Sequence, residues 1–185
     1  MQGYLNKPDA TREALDPDGW FHTGDIGEMD VEGCLKITDR KKDLIVTAGG
    51  KKVAPQPIEQ MVKHNKYVAN AVMLGDRRKF CIMLVVPNFE QLERWAAYKQ
   101  LAFANHRGLI RLPQVQEKME REVGKMLTEL ARYETPKKIL LLEHDFSIEN
   151  GDLTPTLKVR RRIVEKKYQR QIDALYADEP MMMVD

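Results

Sequence analysis

The sequence predicts an α+β fold in which helices and short strands alternate in layers. The apolar runs 68–74 and 80–86 are separated by a charged turn that contains glycine, which is typical of a β-hairpin buried on both faces. Farther along, Val115, Met119 and Val123 recur at helical spacing. A short β-sheet flanked by helices accounts for both patterns.

The first part of the chain predicts a loop followed by a small hairpin. Residues 1–19 are rich in Pro, Asp and Gly, and they read like the middle of a longer protein. Residues 20–29 predict a short strand pair interrupted at residues 23–25. Residues 30–33 predict a turn that leads into a returning strand at residues 34–38.

A charged run at residues 39–43 predicts a linker, and we place a domain boundary in it, between residues 41 and 42. The apolar residues 44–46 predict a strand, and residues 47–50 predict a glycine loop. A helix with proline in its first turn follows this loop and is expected to end near Asn65.

The second half of the chain predicts further helices and one more strand. Asn88 is a suitable N-cap for a helix, and residues 139–142 predict a strand. Asn150 and Gly151 predict a type I′ turn, after which Thr156 would cap the last helix. The side of this helix predicted to face the core carries Val159, Ile163, Tyr168, Ile172 and Leu175. The Met-rich end of the chain is expected to fray.

Positive charges crowd the predicted start of this last helix. They are Lys158, Arg160, Arg161 and Arg162. The helix macrodipole adds about +0.5 charge at the same end, where free backbone N–H groups also point. Acidic residues normally occupy a first turn, so the basic pattern indicates an anion-binding site. Solvated arginine side chains would also produce this pattern.

Composition excludes several classes of protein. The 185-residue chain has a formal net charge of +2, which is too small to indicate general nucleic-acid binding. Cys34 and Cys81 lack paired spacing and the histidines are scattered, so neither a disulfide framework nor a metal site is expected. No apolar run approaches about 18 residues and no signal segment is evident. A cytoplasmic localisation is therefore expected.

Ordered motifs connect the chain to a known family. They lie at residues 19–25, 39–43, 49–55 and 153–158. In this order and spacing they resemble the C-terminal part of an acyl-adenylate-forming enzyme of the AMP-binding superfamily. Residues 148–152 look most like a long-chain fatty-acid–CoA ligase. The resemblance implies a small C-terminal mobile lid domain at residues 42–185, preceded at residues 1–41 by a loop and hairpin from the tail of the large AMP-binding domain.

The resemblance also implies roles for individual residues. Lys158 would be the catalytic lysine of adenylation, an electrostatic clamp between the acyl carboxylate and the α-phosphate of ATP. Asp25 would bind the ribose hydroxyls of the nucleotide, and Arg40 would add contacts on the ribose or phosphate side. Lys42 matches the hinge about which the small domain rotates.

A second group of residues would serve thioester formation with CoA. Gly49, Gly50 and Lys51 form the implied CoA-side loop, because a backbone without Cβ lets the pantetheine chain approach closely. Lys52 and Arg77 are either contacts for the CoA phosphates or surface charges.

The resemblance further implies the substrates and partners. They are a long-chain fatty acid, ATP with Mg²⁺, CoA, and the N-terminal domain that would bind most of the nucleotide. This chain by itself is expected to be inactive and to hold no metal. Without that domain, Trp20, Phe21 and Ile26 are expected to lose packing partners.

Two other functions stay open at the level of sequence. The chain would also fit an adenylating ligase for an aryl or amino acid. A non-catalytic basic module is the other alternative, with the face from Arg160 to Lys167 meeting nucleic acid or an anionic membrane. The modest net charge disfavours nucleic acid, while peripheral membrane contact is left open.

Overall fold

The computed structural model describes residues 1–177. It divides into two compact units, of which the first is Met1–Leu44 and the second begins at Ile45. The domain boundary between residues 41 and 42 stays a prediction. The fraying predicted for the Met-rich end falls outside the described residues.

The first unit contains one helix and one hairpin. Helix α1 (Pro8–Ala14) forms in the stretch predicted to be mostly loop, with proline and aspartate in its first turn. Strands β1 (Asp25–Met29) and β2 (Leu35–Arg40) pair antiparallel, as predicted. The expected pair of strands before Met29 is wrong. A single strand starts at Asp25, and ahead of it lies only an isolated bridge from Leu15 to Phe21.

Apolar side chains of the first unit face solvent. Trp20 is 73% exposed and Phe21 46%, which confirms the expectation for these two residues, whereas Ile26 is half-buried. On the hairpin itself, Met29 and Leu35 are also exposed. No apolar side chain of Met1–Leu44 is fully buried, so this unit has no hydrophobic core of its own.

The second unit is a three-stranded sheet between layers of helices, with a small two-stranded ribbon ahead of it. Its strands are β3 (Ile45–Val46), β4 (Lys52–Val53), β5 (Val68–Leu74), β6 (Ile82–Pro87) and β7 (Lys138–Leu141). Its helices are α2 (Pro55–Lys63), α3 (Phe89–Tyr98), α4 (His106–Arg111), α5 (Pro113–Met126), α6 (Arg161–Lys167) and α7 (Gln169–Ala177). This arrangement confirms the predicted α+β class.

Strand β6 is the centre of the sheet. It pairs antiparallel with β5 and parallel with β7, and every one of its residues is buried. Alternate residues point to opposite faces. Met83 joins a core cluster with α2, α3 and α5, while Leu84 joins a second cluster with α6 and α7. The hairpin predicted to be buried on both faces is therefore confirmed.

The last helix begins later than predicted and is broken. Helix α6 starts at Arg161, and Thr156 is not its cap, because residues 153–159 form a closed loop instead. The chain starts a new helix after Tyr168. Ile163, predicted to face the core, is 41% exposed, and Val164 is buried in its place.

Two further local expectations fail. Asn150-Gly151 is not a type I′ turn, because only Gly151 has a positive φ, at 75°, and type I′ requires it at both residues. Gly151 N–H donates instead to the carbonyl of Ile148. Helix α4 was not predicted, although the Asn105 side chain caps it by accepting from Gly108 N–H.

A buried ion pair on α5 gives the unit a testable pH dependence. Hydrogen bonds from Lys118 and then from Lys125, each at 2.9 Å, lower the pKa of Glu122 to about 2 from its ordinary 4.5. Stability from this carboxylate is fully present above pH 4.5 and is lost as the pH falls toward about 2. Glu122→Gln should therefore cost about 2 kcal/mol above this window.

Urea unfolding at a series of pH values measures this effect. The difference between Glu122→Gln and the unmodified chain should shrink as the pH falls. Glu120→Gln changes an exposed carboxylate of the same helix and should unfold like the unmodified chain at each pH. A Glu122→Gln deficit that does not change with pH would contradict the assignment.

Candidate functional site

Lys158 lies on a tight loop just ahead of α6. The loop is closed by a β-bridge between Leu153 and Val159. Within it, Thr154 N–H donates to the Lys158 carbonyl at 2.8 Å, and Lys158 N–H donates to Thr154 Oγ1 at 3.0 Å. Leu157 takes a left-handed backbone conformation, with φ of 60°. These contacts fix the backbone that carries Lys158.

The Lys158 ammonium is exposed and makes no hydrogen bond or ion pair with any side chain among residues 1–177. The sequence predicted that it stands in the first turn of the last helix, which is wrong, since α6 begins at Arg161. The Lys158 ammonium is exposed because the residue lies on the loop ahead of α6. A cation on an ordered backbone without an internal partner is suited to bind an external anion.

Arg161 has a structural role, because its guanidinium is paired inside the domain. Its Nη1 donates to the Glu59 carboxylate in a close contact and to the Met73 carbonyl at 2.7 Å. Glu59 Oε1 also accepts from Met73 N–H at 2.6 Å. Glu59 is 6% exposed, so the pair is largely shielded from water. The guanidinium groups of Arg160 and Arg162 are exposed and have no hydrogen-bond or ion-pair partner among the described residues.

Sequence reasoning missed Glu59, although a signal for it exists. Glu59 stands on α2 beside Ile58 and Val62, which line the buried side of that helix. An acidic residue adjoining an apolar helical stripe indicates a buried carboxylate in need of a cation. The sequence gives no indication that the cation is Arg161.

The hairpin of the first unit brings Asp25 and Arg40 together. They are opposite each other in the β1–β2 register, and Arg40 Nε donates to Asp25 Oδ1 at 2.8 Å. Asp25 N–H is held by Thr23 Oγ1 at 3.0 Å, and the Asp25 side chain is 26% exposed. The arginine thus orients a partly exposed carboxylate that can accept hydrogen bonds from hydroxyl groups.

Lys42 lies in a turn close to the end of the first unit at Leu44. Asp43 N–H donates to the Arg40 carbonyl across this turn at 2.9 Å. Lys42 itself is exposed, and its backbone N–H donates to no group among the described residues. A change of the Lys42 backbone angles would open this turn, because the hydrogen bond between Asp43 and Arg40 spans the residue.

The glycine loop is anchored at its ends and open at its tip. Thr47 N–H donates to the Lys51 carbonyl at 2.9 Å, and Ala48 N–H donates to the Arg78 carbonyl at 2.8 Å. Gly50 has a φ of 73°, a backbone conformation that favours glycine. Gly49 has an ordinary φ, and a Cβ placed there would meet no atom within 4 Å. No contact within residues 1–177 explains glycine at position 49.

Basic side chains surround this loop. Lys51 Nζ lies 5.6 Å from the ring centroid of Tyr133. The Arg77 side chain is 92% exposed and lies near Asp76. Lys52 is exposed as well. The loop therefore combines a glycine backbone, which a ligand can approach closely, with a positively charged surface.

In the part of the chain that the structure describes, no group of His, Cys, Asp or Glu could hold a metal ion. Among these same residues, no helix has both the length and the apolar character needed to cross a membrane.

The α+β fold of the second unit matches the small C-terminal domain that the resemblance to adenylate-forming enzymes implied. The family comparison agrees. The chain belongs to the AMP-binding enzyme C-terminal domain family, whose model matches residues 42–180.

Similar proteins include long-chain fatty-acid–CoA ligases. ACSBG1 from Homo sapiens is 38% identical, over 98% of this chain and 28% of its own length. FadD15 from Mycobacterium tuberculosis is 37% identical, over 97% of this chain and 30% of its own length. The chain thus spans less than a third of these relatives.

Solved structures with the same fold include adenylation domains of carboxylic acid reductases. That from Segniliparus rugosus, in complex with AMP and a co-purified carboxylic acid, has a TM-score of 0.77 and 26% identity. It covers 96% of this chain, which covers 26% of it. That from Mycobacterium chelonae has a TM-score of 0.73 and 30% identity, over 95% of this chain and 26% of the other.

The assignment of Arg161 as structural can be tested against its neighbour. Arg161→Met leaves the Glu59 carboxylate buried without its cation, and we expect a loss of about 3 kcal/mol in the free energy of unfolding. Arg162→Met removes an exposed guanidinium and should change stability by less than about 0.5 kcal/mol. Denaturant unfolding of both variants measures the difference. Equal losses would show that the Glu59 pair does not hold α6.

Proposed function

We propose that this chain works as the C-terminal domain of an ATP-dependent long-chain fatty-acid–CoA ligase. Membership of the family and the likeness to named long-chain ligases support this. The proposal assigns the acyl pocket and most of the nucleotide site to an N-terminal domain outside this chain. The observation that carries the mechanism is the Lys158 ammonium, which has no partner within residues 1–177 and stands on a loop fixed by its own hydrogen bonds.

In the first half-reaction, a fatty-acid carboxylate oxygen attacks the α-phosphorus of ATP. A bond from oxygen to phosphorus forms, the bond to the pyrophosphate oxygen breaks, and pyrophosphate leaves. Both reactants are anions, so their approach is opposed by repulsion. Lys158 offsets this repulsion by donating to carboxylate and phosphate oxygens, and it stabilises the charge that moves in the transition state. It has no role as a base.

The hairpin would contribute to the same nucleotide. Asp25 is held by Arg40 and is partly exposed, which suits a carboxylate that accepts hydrogen bonds from the ribose hydroxyls. Mg²⁺ would be bound mainly by the N-terminal domain, where it would act on the phosphates. No step is therefore assigned to the metal here.

In the second half-reaction, the CoA thiol attacks the acyl carbonyl carbon and AMP leaves. We assign the CoA side to Gly49, Gly50 and Lys51, with Lys52 and Arg77 as candidate contacts for the CoA phosphates. The side chain that is missing at Gly49 leaves open space for the pantetheine chain. Rotation of the second unit about Lys42 would withdraw Lys158 and present this loop.

The likeness to carboxylic acid reductases favours one alternative, an adenylating enzyme for a different carboxylic acid. The chemistry of Lys158 would be the same in that enzyme. Only the acid would differ, and the pocket that selects the acid lies in the proposed N-terminal domain. In either case, the chain alone is expected to show no turnover.

A variant of the lysine tests the first half-reaction in the full-length ligase. Lys158→Ala removes the clamp and should slow acyl-adenylate formation by about 10²–10³-fold. CoA transfer from supplied acyl-adenylate should largely survive. Pyrophosphate release and thioester formation, measured separately, give the two rates. Lys166→Ala, which removes an exposed lysine of α6, is the control and should leave both rates unchanged. Equal loss of both half-reactions in Lys158→Ala would contradict the clamp.

The hinge has a separate test. Lys42→Pro locks φ without removing a backbone hydrogen bond of the described structure, so it should hinder rotation and slow thioester formation more than adenylation. Lys42→Ala keeps a free φ and should run both half-reactions at normal rates. The two rates are measured as for Lys158. If Lys42→Pro also ran both steps normally, Lys42 would not be the hinge.

A further inference from the structure

The Asp152 carboxylate is buried but only half satisfied. Its exposed fraction is 0%, and Oδ2 accepts from Lys167 Nζ at 2.6 Å. The other oxygen, Oδ1, is buried and has no hydrogen-bond partner among the described residues. A buried carboxylate with one unsatisfied oxygen opposes folding. Its contribution to stability therefore does not explain why an acidic side chain occupies this position.

Asp152 stands at the base of the loop that carries Lys158. Its N–H donates to the Ser147 carbonyl at 3.0 Å, on the segment that enters the loop. Its carbonyl accepts from Arg160 N–H at 2.8 Å, on the segment that leaves it. The two ends of the loop therefore meet at this residue.

The side chain of Asp152 ties this base to a regular element. Its partner, Lys167, is the last residue of α6. Arg161, at the other end of α6, is held by Glu59. The helix is thus fixed at its start by α2 and at its end by Asp152. Because the loop runs directly into this helix, the ion pair is one of the contacts that hold the base of the loop against it.

We propose that Asp152 is a positioning residue for Lys158. Paired with Lys167, it holds the base of loop 153–159 against α6. The Lys158 ammonium is thereby positioned for the reacting oxygens before the substrates bind. This inference rests on the proposed adenylation function. A misplacement of about 1 Å in a reacting group can cost about 10²-fold in rate, so a modest tilt of the loop is enough to slow the reaction.

Kinetics of the full-length ligase give the first test. Asp152→Asn keeps the shape and removes the charge, and we expect the kcat of adenylation to fall by about 10-fold to 100-fold. The KM for ATP and the rate of CoA transfer from supplied acyl-adenylate should be unchanged. Lys167→Arg keeps a cation at the pair and should retain most of the rate. Glu149→Gln, an exposed carboxylate of the same segment, is the matched control and should have no effect.

Amide hydrogen exchange on the 185-residue chain gives a readout that does not depend on activity. In Asp152→Asn, the amides of Thr154, Lys158 and Arg160 should exchange at least about tenfold faster, because the base of their loop is loosened. The amide of Leu84, in the central strand, should be unchanged. Equal acceleration of loop and sheet amides would mean a general loss of stability and would overturn the proposal.

The outcomes separate this inference from the proposed function. If Lys158→Ala abolishes adenylation but Asp152→Asn leaves its kcat unchanged, the clamp stands and the positioning role is wrong. If Lys158→Ala leaves adenylation intact, both are wrong. Loss of both half-reactions in Asp152→Asn would also overturn the positioning role, since a positioned lysine matters only for the first.

Discussion

The position of helix α6, into which the lysine loop leads, depends on one buried carboxylate. Glu59 on α2 accepts from the Arg161 guanidinium and from Met73 N–H, while Arg161 also donates to the Met73 carbonyl. A charge this deeply buried is tolerated only when it is paired and hydrogen-bonded, so the contacts are mutually required. Together they join α6, α2 and β5. The loop immediately ahead of α6 takes its position from this junction, and Lys158 is carried on that loop.

This junction also decides which cations are available for chemistry. Arg161 and Lys167 are engaged with Glu59 and Asp152, whereas Lys158 has no partner within residues 1–177. The glycine loop attaches to the same part of the sheet, because Ala48 N–H donates to the Arg78 carbonyl in the turn after β5. The lysine loop and the glycine loop are thus attached to the same part of the sheet. This arrangement suits a domain that would present one loop or the other to the substrates by moving as a rigid body.

The sequence patterns anticipate what is local and periodic. The buried hairpin of β5 and β6 and the helix beginning at Pro113 follow from patterns of apolar residues within a few positions of each other. The predictions that failed depend on pairings that the pattern of apolar residues does not specify. Thr156 has the side chain of a cap, but its segment pairs with itself as a loop. The partner of Arg161, Glu59, lies 102 positions away in the sequence. The sequence pattern therefore did not distinguish Arg161, which pairs with a buried carboxylate, from the exposed arginines beside it. The pairing of Asp25 with Arg40 follows from the hairpin register, which the sequence did not fix to the residue.

The central claim is that Lys158, and none of the arginines beside it, meets the reacting phosphate. A crystal structure of the full-length ligase with a non-reactive acyl-adenylate analogue, trapped in the adenylation state, tests it most directly. We expect Lys158 Nζ to lie within about 3 Å of an α-phosphate oxygen, with Arg161 still paired to Glu59. Lys158 directed to solvent, with Arg160, Arg161 or Arg162 on the phosphate in its place, would contradict it.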